Sequence, residues 1–329
     1  MKKDKVKKVR AGVIGVGRMG RYHVGVYSEL FNTDLVGIVD IDSKRGHEIA
    51  ERYNTVFYHD YHQVFNKVDV VSIAVPTSLH YKIARDFLEA GVNVLLEKPI
   101  SDNMDNAKDL FRIADEKGLT LHIGHVERFN GAVQELKKIV KDPILIESRR
   151  MGPFDSRIQD DGVVMDMMIH DIDIILNLVD SEVDIINVMG SSVFSDKDDL
   201  ANVHIRFRNG CIANIVASRV TQNKIRTMAI TQKDAYVFLD YTDQDIHIHR
   251  QASSEHRLTK EELRYKQESL IERIFVHRDN PLKLEILHLI ECSTNGIHRS
   301  IPVDKELISL KVAIEIVEKI KKGMKVLED

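Results

Sequence analysis

Cysteine is almost absent from this chain of 329 residues, which contains only Cys211 and Cys292. The two lie far apart and form no CxxC pair, which favours a reduced, cytoplasmic setting. Long apolar runs are also missing, because no segment approaches the ~20 residues that a membrane span requires. The basic start, MKKDKVKKVR, is not followed by an apolar h-region, so we expect a solvated basic tail and no signal peptide.

The chain has no excess of basic residues. It contains 47 Lys and Arg residues and 51 Asp and Glu residues, which gives a formal net charge of −4. Nucleic acids and anionic membranes bind basic surfaces, so neither is expected as a partner. Low-complexity and Pro/Gly-rich runs are not found either. The remaining composition, 43% apolar and 30% charged, is that of an ordinary globular protein, and the length predicts two domains.

The first third of the chain alternates short apolar runs with helical patterns. Strands are predicted near Val13, up to Asp40, Val75 and Glu97, and near Leu121. Helices are predicted between them over residues 21–30, 44–53, 79–90 and 103–117. Strands that are apolar throughout are typical of a parallel sheet covered on both faces. We therefore predict an α/β fold for residues 1–124, an N-terminal Rossmann domain with a doubly wound parallel sheet.

The second half has a different pattern. In VHIRFRNGCIANIVAS, apolar and polar residues alternate on both sides of Asn209-Gly210, which predicts a β-hairpin with a type I′ turn. Five further strand-like runs surround it: IESRRM, DIINVMG, RTMAIT, AYVFLD and DIHIH. We predict a C-terminal α+β domain over residues 125–329 with a mostly antiparallel open sheet. Its last helix, at about 305–322, is expected to pack back on the first domain.

The stretch GVIGVGRMG places Gly15, Gly17 and Gly20 in a G-x-G-x-x-G pattern after the first predicted strand. In dinucleotide-binding domains the first glycine permits a tight turn, the second admits a pyrophosphate, and the third lets the helix pack closely. Asp40 ends the second strand, where a carboxylate accepts hydrogen bonds from the adenosine ribose and repels a 2′-phosphate. Ile41 follows it in place of an arginine. The sequence therefore predicts NAD as the cofactor, in preference to NADP.

The ends of two more strands are expected at the same edge of the sheet, which we call the rim. Open α/β sheets bind ligands there, beyond the carboxyl ends of their strands. AVPTSLH supplies Pro76, Thr77 and His80, and LLEKP supplies Lys98 before Pro99. A proline restricts the preceding residue to extended backbone angles, which defines the direction in which Lys98 leaves the strand. We predict that Lys98 lies near the nicotinamide, and not that it is a surface lysine before a turn.

The stretch DMMIHDIDIILNLVD, residues 166–180, is predicted as a helix that is apolar nearly all round. Asp166, His170, Asp173 and Asn177 follow the spacing i, i+4, i+7, i+11 and form one polar stripe. Charged groups on a buried helix need partners or a cavity, and Asp166 is placed to orient the imidazole of His170. Two alternatives stay open: a solvent-facing stripe on a peripheral helix, and a metal site of Asp166, His170 and Asp173.

Two other histidines, His122 and His125, flank Gly124 at the end of a predicted strand. The position would let His125 approach the site, but both are interpreted as packed or hinge histidines. No resident metal ion is predicted.

Taken together and in this order, GVGRMGRYH, AVPTSLH, LLEKP and DMMIHDID resemble the glucose–fructose oxidoreductase / inositol dehydrogenase / MocA family over nearly the whole chain. The resemblance implies a Rossmann domain, a second domain on an open sheet, NAD(P), and redox chemistry at a sugar or cyclitol carbon. It also implies that Lys98 is the lysine of the EKP motif and that Asp166 and His170 form the D-x-x-x-H pair. Glu97 and Pro76 then line the nicotinamide. The complete predicted cofactor site is Gly15, Gly17, Arg18, Met19, Gly20, Asp40, Ile41, Pro76, Thr77, His80 and Glu97.

Within the family, GHVERFNGAV and RRMGPFDSR are most similar to enzymes that oxidise the 3-hydroxyl of UDP-N-acetylglucosamine, with enzymes acting on its uronate close by. Gly131 departs from the proline expected at its position. A nucleotide-sugar diphosphate needs charge-assisted donors, and Arg149, Arg150 and Arg157 carry forked guanidinium groups. Each of them is alternatively an exposed arginine of a strand or loop. Together with Asp173 they form the predicted substrate site.

The expected reaction is hydride transfer from a sugar carbinol carbon to the nicotinamide. Three residues are predicted to be catalytic. His170 is the preferred general base, Asp166 orients it, and Lys98 donates to the developing carbonyl oxygen. The roles of His170 and Lys98 are exchangeable at this point. The alternatives are a dehydrogenase of a free cyclitol or monosaccharide and a catalytically silent NAD-binding regulatory protein. A homo-oligomer, dimer or tetramer, is expected through the C-terminal sheet.

Overall fold

The structure is a computed structural model that describes residues 8–155, 161–259, 262–276, 278–295 and 302–325. Side chains are described in these ranges except at 251–269, 295 and 324–325. The chain forms two compact units, of which the first comprises Met1–Phe129 and Asn280–Ile314. The second comprises Asn130–Asp279 and Glu315–Asp329.

The secondary structure accounts for most of the described residues. The helices are α1 (Arg18–Glu29), α2 (Ser43–Arg52), α3 (Thr77–Glu89), α4 (Met104–Glu116), α5 (Gly131–Ile139), α6 (Ile169–Leu178), α7 (Pro281–Asn295) and α8 (Val303–Lys325). The strands are β1 (Val9–Ile14), β2 (Thr33–Val39), β3 (Val56–Tyr58), β4 (Val70–Ile73), β5 (Asn93–Glu97), β6 (Leu121–Gly124), β7 (Leu145–Met151), β8 (Val183–Ser191), β9 (Leu200–Phe207), β10 (Ile212–Ser218), β11 (Ile225–Thr231), β12 (Ala235–Asp240), β13 (Asp245–Thr259) and β14 (Glu262–Ile274).

The first unit is built on a six-stranded sheet in the order β3-β2-β1-β4-β5-β6. All of its strand pairs are parallel. Strands β2 and β3 lie on one side of β1, and β4, β5 and β6 lie on its other side, so the strand order reverses between β1 and β4. Open α/β sheets bind ligands beyond the carboxyl ends of the strands at such a switch point. The predicted Rossmann fold is confirmed, and the continuous apolar runs of β4 and β5 are buried because helices cover both faces of such a sheet.

Helices α1 to α4 occupy the four predicted helical stretches, with limits that differ by a few residues. Gly91 and Gly118, which lie just after α3 and α4, have φ angles of +83° and +65°. This left-handed conformation is the usual end of a helix, and glycine adopts it without a steric penalty from a Cβ atom. Asp42 and Asn103 cap the amino ends of α2 and α4 by accepting backbone N–H groups.

Helix α7 was not identified from the sequence, although it belongs to the core of the first unit. Its residues Leu282, Ile286 and Leu289 are buried in one cluster with Val24 and Tyr27 of α1. The predicted boundary at Gly124 falls shortly before the end of the first segment of this unit. Helix α8, close to the predicted last helix, is divided between the two units at residue 314.

The second unit is built on an eight-stranded sheet in the order β14-β13-β12-β11-β7-β10-β9-β8. Its strand pairs are antiparallel except β7 with β10, so the predicted mostly antiparallel open sheet is confirmed. Buried and less buried residues alternate along β9 and β10, which shows that one face of the sheet carries the core of this unit.

The predicted hairpin is formed by β9 and β10, but its predicted turn type is wrong. The N–H of Gly210 donates to the carbonyl of Phe207, and Gly210 has a φ of +90° while Asn209 has no positive φ. A type I′ turn needs positive φ at both central residues. The connection is therefore a three-residue loop with a type I turn that closes on a left-handed glycine.

The predicted helix over residues 166–180 is confirmed only in part. Its beginning is a π-helix, Val164–Met168, in which the N–H of Ile169 donates to the carbonyl of Val164, and α6 follows it. A π-helix inserts one extra residue into a turn and occurs frequently at functional sites. Asp166 lies in this widened turn, so its relation to His170 is not that of two residues in a regular α-helix.

None of the described helices is both long enough and apolar enough to span a membrane.

Candidate active site

The glycine loop joins β1 to α1 at the switch point of the first sheet. Gly15 has a φ of +81°, and a Cβ atom there would lie 2.5 Å from the carbonyl oxygen of Ala74. A Cβ atom on Gly20 would lie 1.8 Å from the carbonyl oxygen of Gly15, so the third glycine lets α1 pack against the loop. Gly17 caps α1, and a Cβ atom there would meet nothing within 4 Å. The amino end of α1 therefore faces open space that fits a pyrophosphate.

Asp40 follows β2 and is buried beside this loop. One carboxylate oxygen, Oδ2, accepts the N–H of Val16 at 2.8 Å, and Oδ1 accepts the N–H of Asp42 at 2.8 Å. Burial raises the pKa of Asp40, but hydrogen bonds from Arg45, Asp42 and Val16 outweigh it and hold that pKa below the usual range. The group is therefore an ionised carboxylate at neutral pH, the form that accepts hydrogen bonds from ribose hydroxyls.

Arg45 of α2 was not predicted to belong to this site. Its Nε and Nη2 atoms donate to the two carboxylate oxygens of Asp40 at 3.1 and 2.6 Å. An arginine at this place can also bind a 2′-phosphate, so the predicted preference for NAD depends on Asp40 occupying the guanidinium group. Beside it, the predicted cofactor residue Ile41 is 84% exposed. Arg18, also predicted, is exposed at the start of α1.

We expect Asp40→Ser to change the coenzyme preference towards NADP. The substitution removes the negative charge that repels a 2′-phosphate and leaves Arg45 able to bind it. The ratio of kcat/KM with NAD to kcat/KM with NADP should fall by about 10- to 100-fold, the value of one charge-assisted hydrogen bond. Steady-state kinetics with both coenzymes measures the ratio. Asp42→Ser is the matched control, because Asp42 also contacts Arg45 but does not occupy the position directly after β2. An equal fall of the ratio in both variants would contradict the assignment of Asp40 to the ribose.

His80 holds the ends of β4 and β5 together. Its Nδ1 lies 2.8 Å from the carbonyl oxygen of Pro99, and its Nε2 lies 2.9 Å from that of Val75. A neutral imidazole has one N–H and can donate to one of these carbonyls at a time. His80 and Thr77 are both buried, whereas Pro76 is exposed at the start of α3. The side chain of His80 thus positions the rim on which the predicted cofactor residues lie.

Glu97, at the end of β5, is buried and bound to His23 of α1. The Nε2 atom of His23 lies 2.8 Å from Oε1 of Glu97. Burial raises the pKa of Glu97, but the hydrogen bond with His23 and the electrostatic interactions with His23, Lys98 and His80 outweigh it, so this pKa lies below the usual range. Lys98 follows directly, half-buried, and its peptide bond to Pro99 is cis. A buried, ionised carboxylate therefore stands next to the predicted catalytic lysine.

Glu285 of α7 also interacts with the charge of Glu97, and it was not identified from the sequence. It is 1% exposed, and neither of its carboxylate oxygens has a hydrogen-bond partner among the described residues. Burial and then the proximity of Glu97 raise its pKa well above the ordinary value. Glu97 is thus ionised, whereas burial and the charge of Glu97 favour the protonated form of Glu285. The signal that could have identified it is a carboxylate within the apolar run LKLEILHLI.

We expect Glu285→Gln to make the protein more stable at mildly alkaline pH. The folded-state pKa of Glu285 lies above its unfolded-state value, so the folded protein loses stability as the pH rises from the unfolded-state pKa towards the folded-state pKa. Glutamine keeps the size and stays neutral, so it avoids a buried charge without a partner, an effect of about 1–3 kcal/mol. Urea unfolding over a range of pH measures the difference, which should vanish in acid.

The control for this prediction is Glu291→Gln, since Glu291 is exposed on the same helix. Its free energy of unfolding should equal that of the wild type at every pH. If the free energy of unfolding of Glu285→Gln differs from that of the wild type by the same amount at every pH, Glu285 does not titrate on unfolding.

The predicted catalytic pair lies in the second unit. Asp166 and His170 are half-buried, Asp173 is buried, and Asn177 donates from Nδ2 to the backbone carbonyl of Asp173 at 2.7 Å. None of these four residues is fully exposed, but three of them are only half-buried, so the alternative of a solvent-facing stripe is not decided by their burial.

The predicted arginines do not form one group. Arg149 and Arg150 are neighbours on β7 and point to opposite faces of the sheet, because side chains alternate along a strand. Arg150 is buried, and its Nε donates to Oδ2 of Asp171 at 2.7 Å, while its guanidinium lies 5.0 Å from the ring of Tyr241. Arg149 is exposed on the other face. Arg157 lies outside the described residues, and the substrate roles of all three stay predictions.

The face that carries Arg149 holds a cavity of about 170 Å³. Glu147, Asn202, His204 and Asn214 line it together with Arg149. The cavity thus combines a guanidinium with amide, imidazole and carboxylate groups. On the buried face, Arg150 forms an ion pair with Asp171.

Comparisons with known proteins match both parts of the chain. The family model described as an oxidoreductase family with an NAD-binding Rossmann fold matches residues 9–125, and the GFO/IDH/MocA C-terminal domain matches residues 131–237. A UDP-N-acetylglucosamine 3-dehydrogenase from Acidithiobacillus ferrooxidans is 35% identical over 246 residues, or 74% of this chain and 78% of that protein. A myo-inositol 2-dehydrogenase from Thermotoga maritima is 27% identical over 64% of this chain and 69% of its own length.

The same relationship is found among solved structures. A structure of UDP-N-acetylglucosamine 3-dehydrogenase from Acidithiobacillus ferrooxidans superposes with a TM-score of 0.86 and 29% sequence identity. The superposition covers 96% of this chain and 98% of that one.

Proposed function

The chain belongs to the GFO/IDH/MocA family of NAD-binding oxidoreductases, and on this premise we propose that it oxidises the 3-hydroxyl of UDP-N-acetylglucosamine, or of its uronate, to a 3-keto sugar. The observation that carries the proposal is the 35% identity, over 74% of the chain, to an enzyme named for this reaction. The glycine loop and Asp40 support NAD as the oxidant, because the open amino end of α1 and an ionised carboxylate suit its pyrophosphate and ribose.

The chain's own residues have separate tasks in this proposal. Gly15, Gly17, Gly20 and Asp40 would hold NAD, which would supply the hydride acceptor for the reaction. His170 removes the proton of the substrate hydroxyl as general base, and Asp166 orients its imidazole. Lys98 donates a hydrogen bond to the same oxygen as carbonyl character develops there. Glu97 precedes Lys98 in the chain, and the positive charge of Lys98 is one of the interactions that favour the ionised form of Glu97.

A free cyclitol or monosaccharide is the second candidate substrate. It is favoured by the 27% identity to a myo-inositol 2-dehydrogenase and by the position of Arg150, whose ion pair with Asp171 leaves fewer donors for a diphosphate. A free sugar has no diphosphate and does not need the exposed Arg149.

NADH formation with UDP-N-acetylglucosamine, its uronate, myo-inositol and glucose tests the proposal. The highest kcat/KM is expected with one of the two nucleotide sugars. A higher value with myo-inositol or glucose would establish the second candidate. No turnover with any of the four substrates, while NAD still binds, would indicate a regulatory protein that has lost its activity.

We further propose a homo-oligomer formed through the sheet of the second unit. The face of β9 and β10 that does not carry the core includes half-buried and exposed residues, and Met189 and Ile212 are exposed on β8 and β10. A dimer or tetramer would bury these two apolar side chains. Light scattering coupled to size-exclusion chromatography measures the mass, and a monomer at micromolar concentration would contradict the proposal.

A further inference from the structure

Three groups that bind soft metal ions lie together in the first unit. His122 is on β6, and His288 and Cys292 are on α7. Each offers one ligand atom, and these atoms lie within 4.8 Å of one another. Among the described residues, no other group of three potential ligands is this close. The cluster has no part in the hydride transfer proposed above.

We propose that His122, His288 and Cys292 bind a Zn²⁺ ion, with water as the fourth ligand. His288 and Cys292 are one turn apart on one face of α7, and Nε2 of His288 lies 3.8 Å from Sγ of Cys292. In a tetrahedral site with Zn–N bonds of about 2.0–2.1 Å and Zn–S bonds of about 2.3 Å, these atoms are roughly 3.6 Å apart. The helix therefore holds two of the ligands near the required separation.

The third ligand comes from the sheet. The rings of His122 and His288 are stacked, with centroids 4.8 Å apart and planes inclined by 19°. Two imidazole nitrogens on one tetrahedral ion are roughly 3.3 Å apart, so ion binding draws the ligand atoms together by up to about 1.5 Å. Side-chain rotation at His288, which is half-buried and lies beside Phe129, provides this movement.

The chemistry of the three donors selects the class of ion. Imidazole nitrogen and thiolate sulfur suit Zn²⁺, whereas Mg²⁺ and Ca²⁺ require oxygen ligands that the three residues do not provide. His122 and Cys292 are buried, so the ion would be shielded from bulk water on two sides. On binding, Zn²⁺ replaces the thiol proton of Cys292.

The site differs from a closed structural zinc site. The Nδ1 atom of His288 is buried and has no hydrogen-bond partner in the described part of the chain. In most zinc sites a carboxylate or carbonyl group holds the second nitrogen of each histidine and strengthens binding 10- to 100-fold. We therefore expect a reversible site that a chelator empties.

Binding at this cluster would link two elements of the first unit. His122 is on β6, the edge strand of the sheet, which pairs with β5 alone. Helix α7 carries Glu285, which faces Glu97 at the end of β5. An ion bound to both β6 and α7 stabilises the folded state by mass action, so added Zn²⁺ should raise the thermal unfolding midpoint.

The test uses the tag-free chain, stripped of metal by a chelator, as wild type, Cys292→Ser and Cys211→Ser. Cys211 is the other cysteine of the chain and lies in the second unit, which makes it the matched control. Zn²⁺ titration by calorimetry and Co²⁺ titration by absorbance measure affinity, stoichiometry and the cobalt–thiolate charge-transfer band. We expect one ion per chain and the band in the wild type and in Cys211→Ser.

Cys292→Ser should lose the band and weaken Zn²⁺ binding by more than about 100-fold, since it removes a direct ligand. Its NAD affinity and its metal-free unfolding midpoint report whether it folds. If it does not fold, His122→Gln replaces it, with the same weakening expected and the band retained at altered intensity. The proposal is overturned if the wild type binds no Zn²⁺, or if folded Cys292→Ser or His122→Gln binds it as tightly as the wild type.

Discussion

Lys98→Met is expected to lower kcat by about 10²–10⁴ while NAD still binds. Methionine has a similar length and fills the same half-buried position after β5, but it cannot donate to the developing carbonyl oxygen. The glycine loop and Asp40 are unchanged, so fluorescence titration should give a dissociation constant for NAD close to that of the wild type. The loss should therefore appear in turnover and not in coenzyme binding.

The control is Lys82→Met, because Lys82 is an exposed lysine on α3 of the same unit. It should keep the wild-type kcat. Near-normal turnover in Lys98→Met would refute the catalytic role of the EKP lysine. Loss of NAD binding in that variant would instead show that Lys98 is needed for the conformation of the chain around Glu97 at the end of β5.

His170→Asn is expected to lower kcat by about 10²–10⁴ and to remove the acid limb of the pH profile. A general base must be unprotonated to act, so the wild-type rate falls as acid protonates it. Asparagine cannot accept the proton, so the residual rate of the variant should no longer show that dependence. Asp166→Asn should cause a smaller loss, since it leaves the imidazole in place and removes only the group that orients it.

The same measurements separate the two possible assignments of the base. If the acid limb persists in His170→Asn and disappears in Lys98→Met, then Lys98 is the base and His170 the hydrogen-bond donor. If both variants keep the wild-type rate, neither residue takes part in proton transfer. His247, a histidine of β13 that is bonded to Asp245, offers the matched control His247→Asn, which should leave kcat and its pH profile unchanged.

Local sequence patterns predicted the first unit well. The spacing of Gly15, Gly17 and Gly20 and the position of Asp40 indicated a dinucleotide loop. The structure places Gly15 and Gly17 between β1 and α1, Gly20 in the first turn of α1, and Asp40 directly after β2. These features depend on backbone conformation and on the period of apolar residues, which a short segment already contains. Strand β3, with three residues, was too short to show such a period.

Local patterns were less informative where a turn or helix departs from ideal geometry. Asn209-Gly210 indicated a hairpin correctly, yet the pair does not distinguish a type I′ turn from a type I turn that closes on a glycine. The apolar run after Asp166 indicated a helix, but a π-turn at its beginning leaves no trace in the period. Arg149 and Arg150 are a different case, because alternation along the strand predicted from IESRRM already requires that they face opposite sides.

What the sequence by itself determined is the class of site: a glycine loop, a carboxylate after the second strand, and a lysine held before a proline. Only the tertiary structure decided the state of the charges around it. Glu97 is paired with His23, which is 74 residues away, and Glu285 approaches it from a helix that returns to the first unit near the end of the chain. Burial and neighbouring charge determine whether a carboxyl group is ionised, and both depend on residues that folding brings together from distant parts of the sequence.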